Sequence, residues 1–146
     1  MILNIEKRLF MSPIRVLLVD DSLEFLQAAS HFLSSDPRIE VVGQFLYAGD
    51  ALNHVQDLCP DLVLMDLAMP IINGLEATRR IKAQNRPPRV IILTMYDNKE
   101  YYSASKAAMA DGFVTKSEFG VQLLPLILNM FAERLKSNVG SNEIPC

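Results

Sequence analysis

Five short apolar segments alternate along the chain with segments whose apolar residues recur at helical spacing, and this alternation most constrains the fold. The apolar segments are IRVLLVD (14–20), IEVVGQF (39–45), DLVLMD (61–66), RVIILT (89–94) and GFVTK (112–116). Strands that alternate with amphipathic helices are typical of βαβ units, in which a parallel sheet carries helices on both faces. The first, third and fourth segments are apolar almost throughout, as strands covered on both faces are. The sequence therefore predicts an α/β fold with a doubly wound, five-stranded parallel sheet.

The helical segments carry recognisable faces and caps. In the first, one face is apolar and consists of Phe25, Leu26, Ala29, Phe32 and Leu33. Asp21 or Ser22 fits the N-cap of this helix, and Asn73 fits the N-cap of the helix after the third strand. These positions set the predicted starts of two helices.

The last predicted helix has an unusually broad apolar stripe, formed by Leu123, Leu124, Leu126, Ile127, Leu128, Met130, Phe131 and Leu135. Its arc is wider than a surface helix needs. We interpret it as part of a homodimer or partner surface; the alternative is that some of these side chains are scattered, exposed apolar residues, which are normal. Pro125 predicts a late start or a kink in this helix.

Composition excludes several classes of protein. The chain has 14 basic and 17 acidic residues and a net charge of −3, so we expect no direct nucleic-acid binding, which needs a basic patch. Cys59 and Cys146 lack the spacing of a metal site. The apolar runs are too short for a membrane span, and the N-terminus lacks a signal-peptide core. We expect a cytoplasmic protein with one domain over residues 13–136, an N-terminal extension over 1–12 and a polar tail or linker stub over 137–146.

Polar residues follow four of the predicted strands where each strand ends. They are Asp20, Asp21, Asp66, Thr94 and Lys116. Each alone could be a helix cap or a solvated charge. In an open parallel sheet, however, ligands bind outside the carboxyl ends of the strands, so the sequence predicts that all five residues converge there.

Three clustered carboxylates repel one another unless a cation holds them. Hard oxygen ligands suit Mg²⁺, which takes one or two carboxylates and keeps several waters for a phosphate. A metal, a lysine and a hydroxyl would stabilise negative charge during phosphoryl transfer, and a carboxylate can itself be the nucleophile. We therefore predict that Asp66 becomes an aspartyl phosphate.

Four motifs carry a family resemblance: LLVDDS, LVLMDLAMPIINGLE, VIILTMYD and GFVTKS, in this order and at the spacing of the family. From Ile14 to Leu135 the chain resembles a response-regulator receiver domain, the phosphoacceptor module of two-component signalling. The resemblance implies a flavodoxin-like sheet with strand order 2-1-3-4-5. It is greatest to receivers that precede a helix-turn-helix output domain, which implies a role in transcription regulation.

The resemblance also implies roles for the residues at the strand ends. Asp66 would accept the phosphoryl group from a sensor histidine kinase or a phosphotransfer protein. Asp21 and Asp66 would ligate Mg²⁺ directly, Asp20 would do so through water, and the backbone carbonyl of Ala68 would be the third protein ligand. Lys116 would pair with the phosphoryl group.

The switch would be made by Thr94, whose hydroxyl turns toward the phosphoryl group, and by Phe113, which changes rotamer in step. The surface formed by helix 4, strand 5 and helix 5 would then control an output domain or a partner. Ala68 and Tyr96 flank the path of the hydrolytic water in the family, and we predict that they prolong the phosphorylated state. Met109 stands where the family often has a glycine closing helix 4, so we expect this helix to end differently.

Two alternative functions fit the sequence less well. A Mg²⁺-dependent phosphatase of the haloacid-dehalogenase type would carry its aspartyl nucleophile after the first strand in a D-x-D arrangement, whereas Asp20 and Asp21 are adjacent and Ser22 follows. A phosphate-independent binding module would be expected if an acidic residue, the threonine or the lysine were missing, and none is. A signalling switch, without enzymatic activity beyond its own phosphorylation and dephosphorylation, is the preferred prediction.

Overall fold

The computed structural model describes residues 12–136 and shows a five-stranded, all-parallel sheet with the strand order β2-β1-β3-β4-β5. The strands are β1 (Ile14–Val19), β2 (Ile39–Phe45), β3 (Leu62–Asp66), β4 (Arg89–Thr94) and β5 (Gly112–Thr115). The predicted sheet and its order are confirmed, and the strand limits agree within one residue. The predicted extension over 1–12 and tail over 137–146 lie, apart from Ser12, outside the described residues.

Within residues 12–136, six α-helices connect or follow the strands: α1 (Leu23–Ser34), α2 (Ala48–Leu58), α3 (Gly74–Lys82), α4 (Lys99–Ala107), α5 (Leu124–Met130) and α6 (Ala132–Lys136). They cover both faces of the sheet, so the central strands divide their side chains between two cores. In β3, Leu62 and Leu64 belong to the core that α1 and α5 cover, while Val63 and Met65 belong to the core under α2 and α3. This division explains why the central strands are apolar throughout. No helix between residues 12 and 136 is long and apolar enough to cross a lipid bilayer.

Side-chain caps fix the starts of α1 and α3, which both lead away from the sheet's carboxyl edge. Of the two residues proposed for the first cap, Ser22 fills it: its Oγ accepts a hydrogen bond from the backbone N–H of Phe25 at 3.2 Å. The predicted cap Asn73 is confirmed, and its Oδ1 accepts from the N–H of Glu76 at 2.9 Å. A cap of this kind typically stabilises a helix by about 1 kcal/mol.

Helix α4 ends in the left-handed turn that glycine usually makes, although the residue there is Met109. Met109 has a φ of 70°, its N–H donates to the carbonyl of Lys106 at 2.9 Å, and the N–H of Ala110 donates to the carbonyl of Ser105 at 3.0 Å. These two bonds are those of a Schellman motif. The expectation that the helix ends differently is wrong, because the hydrogen bonds outweigh the strain of a side chain in this conformation.

The α-helix that follows β5, α5, begins later than a helix running directly from the end of the strand would. A 3-10 turn (Lys116–Glu118) and a π turn (Phe119–Leu123) come first, and α5 then starts with Pro125 in its first turn. Proline fits there because a first-turn residue has no N–H partner within the helix, and the predicted late start is confirmed. The chain leaves helical geometry again at Phe131 and resumes in α6.

The broad apolar stripe of this region packs mainly inward. Leu123 and Ile127 are fully buried, and the other stripe residues are half-buried against the core that α1 and α5 share. Core packing therefore accounts for most of the stripe's width, and a dimer through this surface stays a prediction.

Helix α6 is tied to the edge of the sheet where the strands begin. Arg134 Nη1 lies 2.6 Å from Asp61 Oδ1, and Arg134 Nη2 donates to the carbonyl of Pro13 at 3.0 Å. The other oxygen of Asp61 accepts from the N–H of Arg15 at 2.8 Å. The start of β1, the start of β3 and the last helix are thus joined at one point.

Candidate functional site

Three carboxylates meet at the carboxyl edge of the sheet. Asp20 and Asp21 follow β1, Asp66 ends β3, and carboxylate oxygens of all three lie within 4.8 Å of one another. Asp20 and Asp66 are only 2% and 4% exposed, whereas Asp21 is exposed. The predicted convergence of the acidic residues is confirmed, and one side of the cluster is open to solvent.

Lys116, the first residue after β5, brings a positive charge into this cluster. Its Nζ lies 2.6 Å from Asp20 Oδ2 and 3.3 Å from Asp66 Oδ1. Its third neighbour is Phe25 of α1, whose ring centre is 4.5 Å from Nζ. Sequence reasoning placed Phe25 only on the buried face of a helix; its position one turn after Asp21 was the single signal that it also borders the site.

The electrostatics of the cluster favour a bound cation. Burial, together with repulsion from Asp20, raises the pKa of Asp66 to about 7 from its ordinary value of 3.8, although Lys116 counteracts this. Burial alone would lower the pKa of Lys116, but its hydrogen bond to Asp20 and the attraction of Asp66 outweigh it, and the pKa is raised. One ammonium does not balance three carboxylates. The donor set of hard oxygens therefore fits a metal ion, which would relieve the remaining repulsion.

The loop after Asp66 is folded tightly against the end of β3. The N–H of Gly74 donates to the carbonyl of Leu67 at 2.8 Å, and a Cβ on Gly74 would lie 2.0 Å from the backbone oxygen of Asp66. Only glycine permits this approach. Between these points Ala68 is exposed, and Ile71, with a φ of 71°, forms a tight turn in which the N–H of Ile72 donates to the carbonyl of Pro70.

The two predicted switch residues lie on neighbouring strands. Thr94 ends β4 and is 1% exposed, and its Oγ1 accepts from the backbone N–H of Tyr96 at 3.1 Å. Phe113, on β5, is half-buried and meets the ring of Tyr102 edge to face, with centroids 5.7 Å apart. The structure thus brings Asp20, Asp21, Asp66 and Lys116 into one cluster, and it places Thr94 beside this cluster and Phe113 on the next strand.

A parallel α/β sheet with an acidic, cation-compatible cluster and a lysine at its carboxyl edge is the arrangement of a flavodoxin-like domain with a candidate metal site. The sequence profile of the response regulator receiver domain matches residues 16–127, and the chain belongs to this family. It is therefore a receiver domain of two-component response regulators, and the family resemblance drawn from its motifs is confirmed.

Proteins similar in sequence include response regulators and a larger enzyme. The chain is 32% identical to the transcriptional regulatory protein LiaR of Bacillus subtilis, with 90% of the chain and 69% of LiaR aligned. It is 37% identical to the response regulator protein VraR of Staphylococcus saprophyticus, over 72% of the chain and 50% of VraR. It is 35% identical to a protein-glutamate methylesterase/protein-glutamine glutaminase of Halalkalibacterium halodurans, over 86% of the chain but only 37% of that enzyme. The chain thus spans only part of the length of these relatives.

Solved structures agree with the fold. A two-component response regulator of the LuxR family from Aurantimonas sp. SI85-9A1 superposes with a TM-score of 0.78 at 32% identity, over 84% of this chain and 87% of that one. The receiver domain of NarL from Mycobacterium tuberculosis superposes with a TM-score of 0.77 at 24% identity, over 82% of this chain and 96% of that one. The second similarity shows the fold alone.

Proposed function

We propose that the domain is a phosphorylation-driven switch in which Asp66 accepts a phosphoryl group. One observation carries this proposal: Asp66, at the end of a buried strand, has Lys116 at 3.3 Å and the carboxylates of Asp20 and Asp21 beside it. The donor would be a phosphohistidine on a sensor histidine kinase or a phosphotransfer protein. The family membership favours this function over the phosphatase of the haloacid-dehalogenase type.

In the transfer, a carboxylate oxygen of Asp66 forms a bond to phosphorus while the bond from phosphorus to the histidine nitrogen breaks. The bonding electron pair stays on the imidazole, which takes up one proton from solvent, so the products are an aspartyl phosphate and a neutral histidine. Lys116 holds positive charge where the equatorial oxygens gain negative charge. Release follows when water attacks phosphorus and the carboxylate of Asp66 leaves.

The metal ligands would be Asp21 and Asp66 directly, Asp20 through water and the backbone carbonyl of Ala68, and the ion would be Mg²⁺. Mg²⁺ bound there supplies charge neutralisation for the carboxylates and for the incoming phosphoryl oxygens. The open side of the cluster at Asp21 and the exposed position of Ala68 support this assignment.

The readout would start at Thr94, whose hydroxyl accepts from the N–H of Tyr96 and keeps its own proton to donate. If that proton binds a phosphoryl oxygen better in one conformation, phosphorylation raises the population of that conformation. Phe113 would then leave its edge-to-face contact with Tyr102, which changes the surface of α4, β5 and α5.

The remaining parts of the proposal concern the domain limits, the location and the output. We assign the receiver to residues 13–136, between an N-terminal extension (1–12) and a linker-like tail (137–146), and its place to the cytoplasm. Similarity to LiaR, a transcriptional regulatory protein, and to a LuxR-family regulator supports control of transcription through an output domain or partner. The receiver itself would catalyse only its own phosphorylation and dephosphorylation and would not contact nucleic acid.

The test is intact-mass analysis after incubation with acetyl phosphate, with Mg²⁺ or with EDTA. Wild type should gain one phosphoryl group only with Mg²⁺, and Asp66→Asn should gain none. Asp57→Asn, which removes an exposed carboxylate on α2, is the matched control and should behave as wild type. A wild type that stays unmodified, or an Asp66→Asn variant that is modified equally, would contradict the proposal; the first result would favour a phosphate-independent binding module.

A further inference from the structure

We infer that Phe25 is a positioning residue for Lys116, and that its ring holds the ammonium group in place for phosphoryl transfer. The Nζ of Lys116 lies over the ring at 4.5 Å from its centre, well within the range of cation–π attraction. The side chain of Lys116 is 11% exposed, so water screens this contact little. The inference rests on the proposed phosphoacceptor function.

The contact is one of four interactions that link Asp20, Ser22, Phe25 and Lys116 in a ring. The N–H of Ser22 donates to Asp20 Oδ1 at 2.9 Å, and the N–H of Phe25 donates to Ser22 Oγ at 3.2 Å. The ring of Phe25 faces the ammonium group of Lys116, and this group lies 2.6 Å from Asp20 Oδ2. The N-cap of α1 therefore fixes both the acidic residue and the ring against the same ammonium group.

A second set of contacts holds the ring from behind. Phe25 meets Phe119 edge to face at 5.4 Å, and Phe119 meets Phe32 in the same way at 5.5 Å. Phe119 opens the π turn that follows the 3-10 turn of Lys116. The ring and the segment that carries Lys116 are thus packed on each other, so the geometry between ring and ammonium does not depend on the two ion pairs.

This independence matters because the other two neighbours of Lys116 change during the reaction. Asp66 loses a free carboxylate oxygen when it is phosphorylated. A bound cation attracts the carboxylate of Asp20 and so competes with Lys116 for it. The ring of Phe25 accepts neither metal nor phosphate, so it is the neighbour that stays. A lysine side chain has many rotamers, and a partner that persists keeps its ammonium close to the phosphoryl oxygens.

The first test compares rates of phosphorylation by acetyl phosphate with Mg²⁺. Phe25→Leu keeps an apolar side chain but removes the π face, and we expect a rate about 3- to 10-fold lower, as for loss of one partly buried cation–π contact. Phe25→Tyr keeps the face and should stay within about twofold of wild type. Phe32→Leu removes a ring from the same trio without contact to Lys116, and should lower the melting temperature but leave the rate unchanged.

The second test needs neither metal nor phosphate. Protons above an aromatic face resonate upfield of the same protons elsewhere, so the ε-methylene signal of Lys116, assigned by its loss in Lys116→Arg, should lie upfield of the other lysine signals. The shift should persist in Phe25→Tyr and disappear in Phe25→Leu.

The two tests separate the inference from the function on which it rests. If wild type is not phosphorylated, the proposed function fails, and the lysine signal alone decides whether the ring holds the ammonium group. If wild type is phosphorylated but Phe25→Leu matches its rate, or if Phe32→Leu is slowed equally, the positioning role of Phe25 is overturned. An unshifted signal in wild type overturns it as well.

Discussion

The burial of Asp66, together with repulsion from Asp20, should lower the stability of the metal-free protein as pH rises, and Asp66→Asn tests this. In the metal-free protein the pKa of Asp66 is raised to about 7 from 3.8, chiefly by burial and then by Asp20. The folded state therefore binds a proton at pH values where the unfolded chain has already lost it. Between these two values the wild type loses stability as pH rises, whereas asparagine has a similar shape and does not ionise.

The magnitude follows from the size of the shift. Each pKa unit corresponds to about 1.36 kcal/mol, so a shift of about three units costs roughly 4 kcal/mol once the pH is above 7. Well below the ordinary pKa of 3.8 the carboxyl group is protonated in both states and the cost vanishes. We expect the free energy of unfolding of Asp66→Asn, relative to wild type, to rise by about 3–4 kcal/mol between pH 4 and pH 8.

The assay is urea unfolding followed by circular dichroism from pH 4 to pH 8 in EDTA. Asp57→Asn removes the same charge at an exposed site, and its difference from wild type should stay within about 0.5 kcal/mol throughout. If the two variants give parallel curves, or if Asp66→Asn is the less stable protein at pH 8, burial and repulsion do not act on Asp66 as argued.

Four further outcomes are expected. Mg²⁺ at about 100 times its dissociation constant should stabilise wild type by about 2.7 kcal/mol and Asp21→Asn by clearly less, measured by thermal unfolding; equal gains would place the ion elsewhere. Gly74→Ala should destabilise by about 1–3 kcal/mol, because its Cβ would meet the end of β3 at 2.0 Å, while Gly120→Ala, with nothing within 4 Å, should not; equal urea midpoints would contradict the close approach. Met109→Gly should raise the free energy of unfolding by about 0.5–1 kcal/mol by relieving a left-handed residue; a loss would show that the side chain contributes more than the strain costs. Tyr96→Ala should speed the loss of phosphate from phosphorylated protein, followed by intact mass, and an unchanged half-life would exclude Tyr96 as a barrier to water.

The sheet could be predicted closely because its signal is local. Strands buried on both faces show as continuous apolar runs, and turns and caps such as Asn73 interrupt them at definite positions. The convergence of Asp20, Asp21, Asp66 and Lys116 followed from topology alone, since the carboxyl ends of parallel strands share one edge.

What could not be predicted depends on contacts between distant segments. The break at Phe131 is not encoded by a glycine or proline at that position, and it arises where the chain packs along the core. Phe25 has the pattern of any buried helix residue, and its place beside Lys116 exists only once α1 and the turn after β5 are together. At Met109 the hydrogen bonds of the helix end outweigh the preference of a non-glycine residue for negative φ, and the sequence pattern around Met109 does not show this.

The contact between Arg134 and Pro13 has a consequence for engineering. The guanidinium N–H of Arg134 and the carbonyl of Pro13, which meet at 3.0 Å, belong to residues 121 positions apart, so the two ends of the folded unit lie within the reach of one arginine side chain, at the edge opposite Asp66. A short linker could join them, and the chain could be reopened between the exposed residues Asn85 and Arg86, because a circular permutation succeeds when the original ends are close. By the same geometry the unit could be inserted whole into a surface loop of a host protein, which would then carry the proposed phosphorylation switch in an insertion that enters and leaves at neighbouring points.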